Sequence, residues 1–339
     1  MSLRMQAMLR ILGAIIAASS LISLPPLLIA VALDENTSAA FLESMATPGI
    51  IGFLLWFPVR HVQYELRLRD GFLITTAIWI IASLITALPF TLAAPHLSYT
   101  DAVFEAASGL TTTGATTISG LDALPRSMLF FRQSLNFYGG MGIVILAIAI
   151  LPMLKIGGMQ LFRAETNGLQ KDNKLTPRIA ETARALWMVY LGLNILCATS
   201  YWLGGMSFFD AVCHGMATVA TGGFSTHDAS FGFWNAPLID SIAIIFMLLG
   251  GINFGMHWYA WRRATIGHYQ SDSELRSFII IALIVSVIVS ASLYFGGRFE
   301  NVFDAIHHGI FQVVSNITTS GFTSGGFHDW PGLAPLLLI

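Results

Sequence analysis

The chain has 339 residues, 55% of them hydrophobic and only 11% charged, with a formal net charge of −2 and a mean hydropathy of +0.70. Soluble domains carry roughly a quarter charged residues, so this balance excludes an ordinary soluble protein and indicates one that lives in a lipid bilayer. The net charge says little, because in such a chain the placement of Lys and Arg matters more than their sum.

The first apolar run follows Arg4 and Arg10 and extends from Ile11 to Leu33. Ala30-Val31-Ala32 looks like a signal-peptide cleavage site, but the run exceeds the roughly 7–15 residues of a signal core, so an uncleaved first span is expected. Pro25-Pro26 should kink it, and Asp34 to Thr37 reads as a short polar turn. A second run, Ala39 to Val59, is expected to be broken by Pro48 and Gly49, and a basic loop follows through Arg60, Arg67 and Arg69. Residues 1–70 therefore read as an accessory two-helix hairpin.

The remaining chain is a repeat with a period of about 100 residues. Asp101 to Thr117 reads DAVFEAASGLTTTGATT, Asp210 to Thr226 reads DAVCHGMATVATGGFST, and Asp304 to Gly326 reads DAIHHGIFQVVSNITTSGFTSGG. Asp precedes the key glycine by 13 positions in the first two copies (Gly114, Gly223) and by 17 in the third (Gly321), one further helical turn. Each motif follows an apolar run: Phe72 to Leu92, Ala185 to Leu203, Phe278 to Phe295. Each also precedes one: Met128 to Leu154, Leu238 to Trp261, and a run that begins near Leu333. Seven residues cannot cross a bilayer, so the third unit is expected to be cut off within its second helix. The units assign as residues 71–180, 181–270 and 271–339, the last incomplete, with no fourth unit in the sequence.

Fourteen of the 17 lysines and arginines fall before the first span, in Arg60–Arg69, in Lys155–Arg184 and in Arg262–Arg276; Arg126, Arg132 and Arg298 fall on the other side. The positive-inside rule places the fourteen, and the N-terminus, in the cytoplasm. All three motifs then lie on the outer side. Each must enter the membrane from outside and return there, as a short re-entrant helix with Asp as its N-cap. Its C-terminal end, with partial negative charge, points at mid-membrane. Each helix runs into Thr, a small residue and Gly, a string suited to irregular backbone that lines a cavity. Backbone carbonyls held this way replace the water around a dehydrated cation, which defines a selectivity filter. Interhelical packing through small residues explains one copy, but three copies at matched distances favour a pore.

These strings, with Tyr138-Gly139-Gly140-Met141-Gly142 and the two leading spans, resemble the bacterial potassium-uptake superfamily of Trk and Ktr membrane subunits, the Trk type most. The resemblance covers essentially the whole chain. It implies an all-α, polytopic integral membrane protein, built from helix–re-entrant helix–filter–helix units and taking up K⁺ across the bacterial inner membrane. It implies four units around one pore, K⁺ bound by Thr112, Thr113 and Gly114, by Thr221, Gly222 and Gly223, and by Thr319, Ser320 and Gly321, and a gate below the filter. It also implies a cytosolic nucleotide-binding regulatory subunit, for which Lys155 to Arg184 offers a docking surface, and a homodimer. No cofactor and no nucleic acid are expected, K⁺ being the transported ion. The alternatives are a Na⁺- or H⁺-coupled carrier, which needs an essential buried carboxylate such as Glu105, and an intramembrane enzyme, for which no nucleophile and base converge.

Other residues invite plainer readings. Gly139-Gly140-Met141-Gly142 and Gly250-Gly251-Ile252-Asn253-Phe254-Gly255 sit in matching places after the filters, as hinges or, more simply, as close-packing sites. Asn253 lies within a span and wants a partner. Glu105 is either a source of negative potential at the mouth or an ordinary packed polar group. His214, His307 and His308 lack metal-ligand spacing, and no transition-metal site is expected. His227-Asp228 reads as a solvated turn, and Cys197 and Cys213 as unbridged small side chains.

Overall fold

The computed structural model describes residues 2–62, 64, 68–150, 179–265, 267–327, 329–332 and 334–338. Most of the connector Lys155 to Arg184, with its expected docking surface, lies outside the described residues, as does part of the basic loop Arg60 to Arg69. Every regular element among the described residues is helical. Five helices there are long and apolar enough to cross a membrane, and a bent pair makes a sixth. Within each of the five, only 28–33% of the most apolar window is buried in protein. Val287, Ile195 and Phe295 are among the large side chains left outward on them, a surface that fits lipid and not water. The protein is an all-α polytopic membrane protein.

The chain forms two compact units. The first runs to Thr111 and resumes at Thr116. Its opening span is α1 (Leu3–Ser19), a 3₁₀ turn at Ser20–Ser23, and α2 (Leu24–Ala32), with Pro25 and Pro26 in the first turn of α2, where a missing N–H costs nothing. α3 (Ser38–Trp56) runs straight through Pro48, contrary to the break expected there. It crosses α1 so closely that a Cβ on Gly13 would stand 2.7 Å from the Trp56 backbone nitrogen. Pro48 removes one N–H, whereas ending the helix there would leave several backbone groups that lipid cannot satisfy, so the helix continues. Next come α4 (Leu68–Thr86), α5 (Leu88–Leu92), the short α6 (Tyr99–Leu110) and α7 (Arg126–Ile150). Glu35 is more than turn polarity. Its carboxylate accepts from the Arg126 and Ser127 backbone N–H groups at 2.9 and 3.1 Å and from the Ser127 hydroxyl, and so caps α7 from the accessory hairpin.

The second unit holds Thr112–Ala115 and the chain from Arg184 onward. The span α8 (Ile179–Leu203) leads to the short α9 (Phe208–Val219). The run expected as one span from Leu238 to Trp261 is two helices, α10 (Pro237–Gly251) and α11 (Phe254–Arg263), bent by 95°. After α12 (Gly267–Ser271), the span α13 (Ser273–Phe295) leads to a third short helix, α14 (Val302–Ile317), and then to α15 (Ala334–Leu337). Small residues seat the short helices on their preceding spans: a Cβ on Gly215 would lie 3.0 Å from the Ala198 side chain, and one on Gly309 would strike Ser290.

Candidate functional site

The three motifs are short helices followed by irregular strands of alternating backbone hand. The acids do not cap them. The N-caps are Ser98, Ser207 and Asn301, whose side chains accept from the Asp101, Asp210 and Phe303 backbone N–H groups at 3.2, 3.1 and 3.0 Å. Asp101, Asp210 and Asp304 occupy the third helical position, where their charge favours the helix dipole. In the first two copies the capping hydroxyl returns a bond to the carboxylate at 2.7 Å. The signal was readable as Ser-x-x-Asp, a capping-box spacing one turn ahead of the apolar run.

At the other end each helix stops on a left-handed threonine. Thr112 and Gly114 have φ of 53° and 79°, Thr221 and Gly223 51° and 75°, Thr319 and Gly321 59° and 76°. The residue between them is not left-handed in any copy. In the second copy the Gly222 N–H reaches back to the Ala217 carbonyl at 2.8 Å, and in the third the Ser320 N–H reaches the Ser315 carbonyl at 2.8 Å. That is the Schellman closure of a helix end, normally made by glycine. A β-branched residue there costs about 1–3 kcal/mol, and strain of this kind gathers at functional sites. Alternation of hand along a strand collects its N–H groups on one side and leaves the carbonyls along the other.

The strands lie against one another through these atoms. A Cβ on Gly114 would stand 2.7 Å from the Gly222 carbonyl oxygen, and one on Gly223 would collide with the Ser320 carbonyl oxygen. Gly321 meets nothing within 4 Å. So all nine residues singled out from the sequence fall in three consecutive strands, each glycine of the first two facing a carbonyl of the next. Behind the strands, Ser315 Oγ donates to the Phe322 carbonyl at 2.7 Å, and Phe322 and Phe224 are buried.

In the first two copies the next helix receives the short helix's carboxyl end on a glycine. A Cβ on Gly139 would strike the Leu110 carbonyl, and one on Gly250 would stand 2.8 Å from the Val219 carbonyl. The matching pair is thus Gly139 and Gly250, the first residue of each glycine string. Gly251 instead faces Thr318 of the next motif, with a Cβ 3.3 Å from its methyl group.

Glu105 is not at a mouth. It is fully buried and paired with Arg132, whose Nε lies 2.9 Å from Oε1. The two are 27 residues apart, and no spacing rule links them. His227 is not a solvated turn: its ring stacks on Phe233 with centroids 3.5 Å apart, and Nε2 is 3.5 Å from Asp210 Oδ1. His307 Nε2 lies 2.8 Å from Asp240 Oδ2. Asn253 finds its partner locally, its Oδ1 accepting from the Gly255 N–H at 2.9 Å to cap α11. Cys197 and Cys213 are both buried free thiols. Among the described residues, no group of three or more His, Cys, Asp or Glu is placed to hold a metal ion.

Apolar spans alternating with short helices that each end on a left-handed Thr and Gly define a polytopic membrane protein built from a repeated helical unit. Residues 37–339 match the family model described as TrkH, cation transport protein, and the chain belongs to that family. It is 44% identical over 340 residues to the Trk system potassium uptake protein TrkH of Vibrio parahaemolyticus, covering 99% of this chain and 70% of that protein. It is 46% identical over 339 residues to its namesake from Halomonas elongata, with 100% and 70% covered. The crystal structure of the potassium transporter TrkH from Vibrio parahaemolyticus superposes with a TM-score of 0.88 at 42% identity, covering 98% of this chain and 69% of that one.

Proposed function

We propose that the chain takes up K⁺ across the bacterial inner membrane through a pore lined by the carbonyls of Thr112, Thr113 and Gly114, of Thr221, Gly222 and Gly223, and of Thr319, Ser320 and Gly321. One observation carries this reading. The same left-handed Thr and Gly recur at three helix ends, and the glycine of one strand faces a carbonyl of the next. The names of the relatives as potassium uptake proteins support the identity of the ion.

The mechanism follows from the chain's own groups. K⁺ sheds water into a ring of carbonyl dipoles. The C-terminal ends of α6, α9 and α14 direct partial negative charge toward it, so no fixed carboxylate is needed. An inside-negative potential draws the ion through, at about 2.3 kcal/mol per charge for each 100 mV. Residues 1–70 stand as a hairpin outside the pore, and 71–180, 181–270 and 271–339 as pore units. The N-terminus is cytoplasmic, as the basic residues require. A nucleotide-binding regulatory subunit on the Lys155–Arg184 connector and a second copy of the chain complete the assembly. A carrier that works through a free buried carboxylate finds no support at Glu105, whose oxygens are engaged by Arg132, Thr116 and Thr117.

Gly223→Ser in the full-length protein tests the filter, because it places a Cβ where the Ser320 carbonyl sits. In cells that lack other K⁺ uptake, the variant is expected to reach the membrane yet lose growth at low K⁺ and preference over Na⁺. Unchanged K⁺ affinity and selectivity would sink the assignment.

A further inference from the structure

The short helices carry a second threefold pattern, outside the filter strands. Four residues beyond the first-turn acid stand Glu105, His214 and His308. Each reaches the strand as it leaves the filter. Thr116 Oγ1 donates to the Glu105 carboxylate at 2.9 Å, and the Thr117 N–H donates to its other oxygen at 3.0 Å. His214 Nε2 lies 3.0 Å from Ser225 Oγ, and His308 Nδ1 lies 2.8 Å from Ser324 Oγ. Thr116 and Ser225 stand two residues past their filter glycines, and Ser324 three past Gly321. In the first two copies the same hydroxyl accepts a backbone N–H two residues on, from Ile118 and from His227, both at 3.1 Å. The His214 ring is fixed from its far side, Nδ1 lying 2.9 Å from the Asp210 carbonyl. Each short helix therefore holds its filter strand at both ends. Its last turn feeds the strand in, and its seventh residue grips the strand again on the way out.

The geometry points to Glu105, His214 and His308 as positioning residues that hold the filter at a width suited to K⁺ and so set its discrimination against Na⁺. This rests on the filter reading above. A smaller ion is bound well only if the carbonyls move inward around it. A strand tied to buried side chains behind it resists that movement. The three ties are chemically unequal. The first is ionic: Arg132 places Nη2 2.8 Å from Glu105 Oε1 and 3.2 Å from Thr116 Oγ1, with both charged side chains buried. Charge-assisted bonds are roughly twice as strong as neutral ones, so the first tie is the stiffest and its loss costs the most selectivity.

The test is ⁸⁶Rb⁺ uptake by the full-length protein in proteoliposomes, with Na⁺ competing. Thr116→Val removes the hydroxyl at nearly constant shape, and Thr116→Ser restores it. We expect Na⁺ to compete about tenfold better in Thr116→Val, the scale of one lost hydrogen bond to a charged group, with Thr116→Ser close to the parent. Ser225→Ala removes the neutral tie and should shift competition less, which also covers a Thr116→Val protein that fails to fold. Gly223→Ser is the filter control. If it alters Na⁺ competition while Thr116→Val and Ser225→Ala do not, the ties are overturned and the filter stands. If Thr116→Ser behaves like Thr116→Val, the hydroxyl is not the agent and the proposal also falls. If none of the variants alters competition, both readings fall together.

Discussion

The first and second repeats solve one backbone problem with different side chains. In both, a left-handed threonine ends the short helix, and that helix rests its last carbonyl on a glycine of the next one, Gly139 or Gly250. Beyond that glycine they part. α7 continues unbroken to Ile150, whereas α10 stops at Gly251 and α11 restarts at Phe254 after a 95° bend. A helix broken within a membrane strands N–H and C=O groups that lipid cannot satisfy. The second repeat supplies the partners. Asn253 accepts from the Gly255 N–H at 2.9 Å, and His257 Nε2 lies 2.9 Å from the Leu249 carbonyl, with Nδ1 2.7 Å from the Tyr269 hydroxyl. Counted from the seating glycine, those places in the first repeat belong to Gly142 and Leu146, which offer neither group. The glycine pairs are common to both repeats, so the break resides in Asn253 and His257.

The ties behind the filter differ in the same way, ionic in the first repeat and neutral in the second, and this difference is the sharpest to break. Arg132→Leu strands the buried Glu105 charge and should cost about 3–5 kcal/mol, read as lost thermal stability in detergent. Replacing Glu105 and Arg132 together with Met removes both charges and should recover most of that loss; a double variant as unstable as the single one would mean that packing, not charge, holds the site. Gly250→Val and Gly139→Val test what the repeats share. Each sets a branched side chain against a backbone carbonyl and should cost about 3 kcal/mol, the larger loss at Gly139, where the carbonyl stands closer. His257→Phe should cost about 1–3 kcal/mol by leaving the Leu249 carbonyl without its partner, whereas the first repeat carries Leu146 at the matching place. The smallest effect is at the caps: Ser98→Ala and Ser207→Ala should each lower stability by about 1 kcal/mol, alike in the two repeats.

Much of the architecture was legible because it depends on neighbours along the chain. Apolar length predicted most of the spans. The fixed distance from Asp to Gly predicted the short helices and the place where each ends, including the additional turn in α14. Local reading failed where two signals competed. Pro48 reads as a breaker, yet α3 passes through it, because a helix against α1 in lipid has no better alternative. Asp101 reads as a cap because it is a strong capping residue, but Ser98 three positions earlier takes the role.

Sequence by itself placed Thr, one further residue and Gly directly after each short helix, and a helix end of this kind is written in consecutive residues. Only the tertiary structure decided their company. Arg132 meets Glu105 across 27 positions, His307 meets Asp240 across 67, and Gly139 rather than Gly140 receives the Leu110 carbonyl. Such pairings depend on the angle at which two helices cross and on which face each presents. Many crossings satisfy the same apolar pattern, and the close-packed interior selects one of them.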